Sequence, residues 1–240
     1  IWYAVFLPHT PHNAPDRLYL KYKDLAPDES TARYWANVAW LDETCGQLVH
    51  YLKEKDLYED TLFVFSADNG WRPDPNKVSW YVRSKKEPVE AGIRTPIFLT
   101  HKNKIVPRRD KETLASNIDI APTILQACGI KPDKAMSGLD LRKPEVLAKR
   151  DRIFVDVYWD NIRVDALGDL DSDLIARVVI DGWEKLIARP DGLELYDLKN
   201  DPDDRTDLAE QNHEKVEELS ALMNDWLEET PIIFPHALQR

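Results

Sequence analysis

Asp68 and Asn69 stand at the abrupt end of an apolar run, Thr61-Leu62-Phe63-Val64-Phe65-Ser66-Ala67-Asp68-Asn69-Gly70. Residues 62–65 are apolar at every position, which fits a strand covered on both faces. In an open α/β sheet, ligands gather beyond the carboxyl ends of such strands. A carboxylate beside an amide carbonyl suits a hard cation such as calcium or magnesium. The same letters have a plainer reading, because Asn-Gly is a common turn pair and Asp-Asn-Gly alone is more often a loop than a metal site. A second stretch, Pro8-His9-Thr10-Pro11-His12, places two imidazoles on a proline-stiffened loop just past another apolar run. A histidine in that setting is commonly just exposed, and the spacing alone does not choose.

Elements must hold these residues. Residues 2–7 predict a short buried strand, and the segment that follows, through Pro27, an extended loop. Ser30 is the expected N-cap of a long helix. Val38, Leu41, Cys45, Leu48 and Leu52 follow at three- and four-residue steps and make one apolar stripe. Strand, helix and strand in that order predict a right-handed parallel crossover. Such a connection brings the His9 loop and the Asp68-Asn69 pair to one edge of the sheet. Residues 70–86 are polar, with prolines and aromatics, and read as a loop over that edge. Residues 96–100 are the next strand. Asp119 is the expected N-cap of a further helix, with Pro122 in its first turn and Gly129 as its C′ residue. Beyond about residue 149 the texture changes to short strands at 153–158, 174–180, 185–188 and 193–198, then a helix near 213–228. The expected fold class is α/β over 1–149, a mixed sheet with flanking helices. A small α+β subdomain with an antiparallel sheet follows over 150–240.

The totals narrow the function classes. The chain has 240 residues, of which 43% are apolar and 31% charged, as in ordinary globular proteins. A formal charge of −11 argues against a broad basic face for nucleic acid, but not against a local cationic pocket for a small anion. No apolar run is long enough to span a bilayer. Two cysteines, Cys45 and Cys128, do not make a disulfide framework and are expected as buried small hydrophobes. Ile1 lies inside an apolar run, so the sequence is expected to be the later part of something longer, with an N-terminal segment of the same protein as its partner. No targeting segment is visible.

Taken in order, several pieces resemble the C-terminal part of the sulfatase family, within the alkaline-phosphatase-like superfamily. They are Pro8-His9-Thr10-Pro11, Trp40-Leu41-Asp42, the run ending in Asp68-Asn69-Gly70, Lys85 ahead of Gly92-Ile93-Arg94-Thr95-Pro96, residues 117–129, and Leu195-Tyr196-Asp197-Leu198 with Asp201-Pro202. The resemblance covers nearly the whole chain. It implies that Asp68 and Asn69 bind an active-site calcium, with magnesium as the alternative. It implies that Lys85, five residues before Glu90, contacts the sulfate and the leaving-group oxygen, and that His9 hydrogen-bonds the sulfate and protonates the departing alcohol. The chemistry agrees: a sulfate ester leaves as an alkoxide, so its site needs a cation on the sulfuryl oxygens and a proton donor at the bridge. His12 and Trp71 are candidate substrate-binding residues. Trp71, Trp80 and Tyr81 either stack on a sugar or aryl group or simply pack the loop. Lys86 is the rival to Lys85, and Glu90 with Arg94 reads as a structural ion pair.

The family's nucleophile is a formylglycine made from Cys or Ser in a Cys/Ser-x-Pro-x-Arg motif, and no Cys or Ser here begins that motif. The resemblance thus implies a sulfuric ester hydrolase acting on a carbohydrate or aryl sulfate, with this chain alone inactive. It also implies a periplasmic or secreted location. Two rivals stand beside it: a phosphoester or phosphonate hydrolase of the same superfamily, and a non-catalytic relative that binds sulfated glycans. Glu90-Ala91-Gly92 departs from the family, which commonly has a second glycine there. Alanine is small and is expected to be tolerated.

Overall fold

A computed structural model of the chain describes residues 1–74, 77–80, 82–158 and 174–229. Residues 2–7 form no strand; Trp2 is 94% exposed and Phe6 70%. A strand needs a neighbour to complete its ladder, and among the described residues none pairs with this run. The stretch expected to be extended instead contains helix α1, Asp16–Tyr22, whose Leu18 is buried. One buried side chain in seven residues gives no visible period. Helix α2 spans Glu29–Glu54 and is capped by Asp28, not Ser30. Asp28 is extended (φ −156°) and accepts from Thr31 N at 2.8 Å and Thr31 Oγ1 at 2.9 Å. A capping side chain must precede the first helical residue, and Ser30 is already inside. Arg17 forks onto Glu43 at 2.6 Å per contact, tying α1 to α2. Ala32, Ala36 and Asn37 form the fully covered face of α2, while Val38 of the expected stripe is 39% exposed.

Strand β1, Phe63–Ser66, pairs antiparallel with β4, Ile97–Thr100. With no strand at residues 2–7, the expected parallel crossover into β1 is not formed among the described residues. Phe65 and Phe98 face each other in this register and stack at 5.7 Å on an exposed surface. Between β1 and β4 lie the short strands β2, Pro73–Asp74, and β3, Lys77–Trp80, and the one-turn helix α3, Glu90–Ile93. Helix α4, Ile120–Ala127, is entered through a 3₁₀ turn, Asn117–Asp119. The capping box there belongs to Ser116 and Asp119. Asp119 is fully buried against Arg150, at 2.5 and 2.6 Å, so the residue expected as a simple N-cap is also half of an ion pair. Gly129 closes the helix with φ +73°, as its place in the sequence requires. Cys128, expected to be buried, faces solvent at that C-cap, and Cys45 is half-buried. Helix α5 is Pro144–Leu147.

The four strands expected after residue 149 are present. They are β5, Arg152–Tyr158, β6, Leu174–Asp181, β7, Glu184–Arg189, and β8, Gly192–Asp197, in an antiparallel meander of order β5-β6-β7-β8. Helix α6, His213–Glu229, follows. Alternation splits the side chains of this sheet between two cores. Val179, Leu186 and Leu195 pack on Leu219 and Met223 of α6. Ala176, Val178, Ile187 and Tyr196 point the other way, onto Ile93 of α3. Each fully buried aliphatic side chain here contributes about 1.5–3 kcal/mol. The second face also positions the loops described next, because α3 closes the segment that carries Lys85.

Candidate functional site

Three loops meet around residues 68–72. The first is the exit from β1. Asn69 N donates to Asp68 Oδ1 at 2.9 Å, and Asn69 Nδ2 donates to Gly70 O at 2.8 Å. These bonds fix both side chains and leave Asp68 Oδ2 and Asn69 Oδ1 unengaged among the described residues. Asp68 itself is exposed. Gly70 is the hinge to the second loop: its N–H donates to Gly92 O at 2.7 Å, and a Cβ there would lie 2.3 Å from Ala91 O. Any side chain at 70 would push the Asp68-Asn69 pair off α3. Gly92 is equally confined, since a Cβ would meet Glu87 O at 2.2 Å and Ser84 O at 2.4 Å.

The second loop presents Lys85. Ser84 is fully buried and its Oγ accepts from Arg72 N at 2.7 Å. Glu87 N donates to Ser84 O at 3.1 Å, which closes a four-residue turn with Lys85 and Lys86 in the middle. Lys86 takes φ +69°, in the left-handed region. Lys85 is half-buried and has no hydrogen bond or ion pair among the described residues, whereas Lys86 is engaged. The geometry therefore separates two lysines that adjacent letters could not.

The third loop carries the histidines, and its anchor was not foreseen. Asn37 of α2 is fully buried; its Oδ1 accepts from Ala14 N at 3.0 Å. Its Nδ2 lies 3.5 Å from Pro8 O and 3.4 Å from His9 O and Pro11 O. An asparagine on the inward face of a helix was the available signal, since a buried amide must be satisfied by something. One turn earlier on α2, Tyr34 packs on Trp71 at 4.5 Å, and His12 sits against both, 5.1 Å from Trp71 and 5.6 Å from Tyr34. His12 is thereby joined to the loop that holds Asp68 and Asn69. Burial, and after it the neighbouring His9, lowers the His12 pKa, while burial raises that of Tyr34. His9 is exposed; its ring packs on Phe6 at 4.7 Å. Its Nδ1 lies 2.9 Å from Thr10 O and 3.4 Å from Thr10 Oγ1, and Nε2 makes no bond among the described residues.

The structure thus brings Asp68, Asn69, Trp71 and His12 onto one loop cluster, with Lys85 on the adjoining turn. It shows no direct bond from His9 to Asp68, Asn69 or Lys85. Among the described residues no group of three or more His, Cys, Asp or Glu side chains could hold a metal ion. Tyr81 and the side chain of Trp80 lie outside the described residues. The expected Glu90–Arg94 pair is present at 3.6 Å.

The chain is similar to several known proteins. A model of the sulfatase family matches residues 1–130. One described as N-sulphoglucosamine sulphohydrolase, C-terminal, matches residues 79–231. Arylsulfatase K of Xenopus laevis is 26% identical over 197 residues, which are 78% of this chain and 35% of that protein. A protein solved in complex with its substrate D-glucosamine-2-N,6-O-disulfate superposes with a TM-score of 0.63 at 21% identity, over 83% of this chain and 40% of that one. A phosphonate monoester hydrolase from Silicibacter pomeroyi superposes with a TM-score of 0.66 at 23% identity, over 88% of this chain and 44% of that one. The chain therefore spans less than half the length of these relatives, and at such identities the superpositions show the shared fold. With family models matching more than half of the chain and the landmark loops meeting in space, the chain belongs to the sulfatase family.

Proposed function

We propose that the native protein hydrolyses a sulfate ester of a carbohydrate or aryl alcohol, and that this chain supplies one wall of the site. The observation that carries the reading is the loop cluster itself: two hard oxygens, on Asp68 and Asn69, next to a turn that holds the Lys85 ammonium, none of the three engaged among the described residues. Two relatives, an arylsulfatase and a protein bound to a disulfated glucosamine, support the substrate class.

Asp68 Oδ2 and Asn69 Oδ1 are the donor types that calcium takes, with magnesium as the alternative, and they would supply two of its about six to eight ligands. A cation held by these two oxygens would supply Lewis-acid withdrawal of charge from the sulfuryl oxygens. Lys85 binds the sulfate as a point charge and stabilises the leaving oxygen. His9 gives a proton to the bridging oxygen from Nε2, the ring nitrogen not engaged by Thr10. His12 and Trp71, backed by Tyr34, form an aromatic wall for the alcohol portion. In this reading the nucleophile is a formylglycine outside these residues, and the chain alone is inactive. No helix among the described residues is long and apolar enough to cross a membrane. Independently of that, the resemblance to the sulfatase family supports a periplasmic or secreted location for the native protein.

A second reading is favoured by the phosphonate hydrolase superposition. Steady-state kcat/KM of the native protein on para-nitrophenyl sulfate, against the matching phosphate and phosphonate, decides between them. Preference for sulfate, lost on calcium chelation, is the expected result. Preference for phosphorus esters overturns it. Tight binding of a sulfated sugar with no turnover of any ester favours the non-catalytic relative.

A further inference from the structure

Glu90, five residues after Lys85, is committed to other cations. Glu90 is 7% exposed; its Oε1 lies 3.0 Å from Lys185 Nζ and its Oε2 3.6 Å from Arg94. Lys185 is fully buried on β7, on the sheet face made by Val178, Ile187 and Tyr196. Its ammonium also donates to Asp204 Oδ2 at 2.9 Å. That oxygen accepts from Glu90 N at 2.7 Å as well. Arg83 reaches the Asp204 carbonyl, with the carboxylate Oδ1 at 3.4 Å. Asp204 takes φ +44°, a left-handed conformation uncommon for a residue with a side chain, held here by bonds at both ends.

Two buried acids and one buried ammonium are costly to desolvate. Replacing such a group by packed apolar side chains is often neutral or stabilising, so stability alone does not account for it. The group does have a geometric consequence. Arg83 and Glu90 anchor residues 83–90 to the C-terminal sheet, and Glu87 adds a contact to Arg189 at 3.2 Å. Lys85 lies between the first two anchors. On the other side, Ser84 and Gly92 bond to Arg72 and Gly70 of the metal-binding candidate loop.

We infer that Lys185 and Asp204 are positioning residues for Lys85: they take up the Glu90 carboxylate and pin its segment, so that the Lys85 ammonium stays unpaired beside the Asp68-Asn69 loop. The inference rests on the proposed contact of Lys85 with sulfate. The sequence gives no hint of it, because the three clamp residues are separated by 95 and 19 positions.

A double-mutant cycle in the native protein tests it, with Lys185→Met, Lys85→Ala and the pair, read as kcat and KM on para-nitrophenyl sulfate beside thermal unfolding. Lys185→Met is expected to lower kcat about 10–100-fold, the size of a misplacement effect. In the Lys85→Ala background the same change is expected to cost less than about twofold, because its effect runs through Lys85. A folded Lys185→Met protein with unchanged kcat overturns the inference, and so does an equal loss in both backgrounds. Where Lys185→Met is unfolded at the assay temperature, Glu90→Gln, which keeps the side-chain shape, enters the same cycle under the same criteria. An unchanged rate for Lys85→Ala alone overturns the role of Lys85, and that is read before the cycle is closed.

Discussion

The C-terminal sheet and the loop cluster around Asp68 treat their polar groups in opposite ways. In the sheet, even a buried lysine is paired twice: Lys185 lies between Glu90 and Asp204, and its neighbours on both faces are closed apolar cores. In the loop cluster, backbone bonds are made with care while side-chain groups are left open. Gly70, Arg72 and Ser84 lock the loops together, yet Asp68 Oδ2, Asn69 Oδ1 and Lys85 Nζ take no partner among the described residues. The difference teaches where stability and chemistry reside. Unpaired groups of fixed direction are poor stabilisers and good ligand contacts, and a rigid, fully paired neighbour keeps them from collapsing onto one another.

Exchanging the two kinds of residue should separate activity from stability. Asp68→Ala is expected to lower turnover by at least about 10²–10³ and to abolish calcium uptake in titration calorimetry. Its side chain is exposed, so the metal-free protein should unfold within about 0.5 kcal/mol of the parent. Calcium bound at full stoichiometry by this variant would remove Asp68 from the site. Leu219→Ala on α6 is the converse. Its side chain is fully buried, so about 2–5 kcal/mol of stability should go, with kcat of the folded enzyme nearly unchanged. A large fall in kcat at constant fold would mean that the far core reaches the loops, and would blur the contrast.

The same contrast explains what the sequence made legible. The strands after residue 149 were readable because each apolar alternation closes with its neighbour across a short turn, as Lys185 does opposite Tyr196. Gly129 was readable because a helix end needs a left-handed residue locally. The partner of β1 was not, since β4 lies more than 30 residues away and nothing in an apolar run states parallel or antiparallel. The site residues could be named from the resemblance, but their support could not. Asn37, Ser84 and Lys185 act through contacts set by tertiary packing, and each looks ordinary among its sequence neighbours. The choice of Lys85 over Lys86 had only spacing behind it, and the structure adds that Lys86 is engaged while Lys85 is not.

The smallest expected effect lies where the two regimes meet, at His12. Burial against Trp71 and Tyr34, and then the charge of His9, hold its pKa below the ordinary histidine value. The folded chain therefore takes up this proton at lower pH than the unfolded chain does. As pH falls through about 6.5, the unfolded state protonates first and is favoured, so stability drops, and the loss levels off once folded His12 is protonated too. The aromatic neighbours add no negative charge, because burial keeps the Tyr34 hydroxyl neutral. His12→Asn should flatten this slope: the stability difference between about pH 7.5 and about pH 5, from denaturant unfolding, should shrink relative to the parent. An unaltered slope would mean that water already reaches the ring, and that the aromatic wall beside Asp68 is open rather than packed.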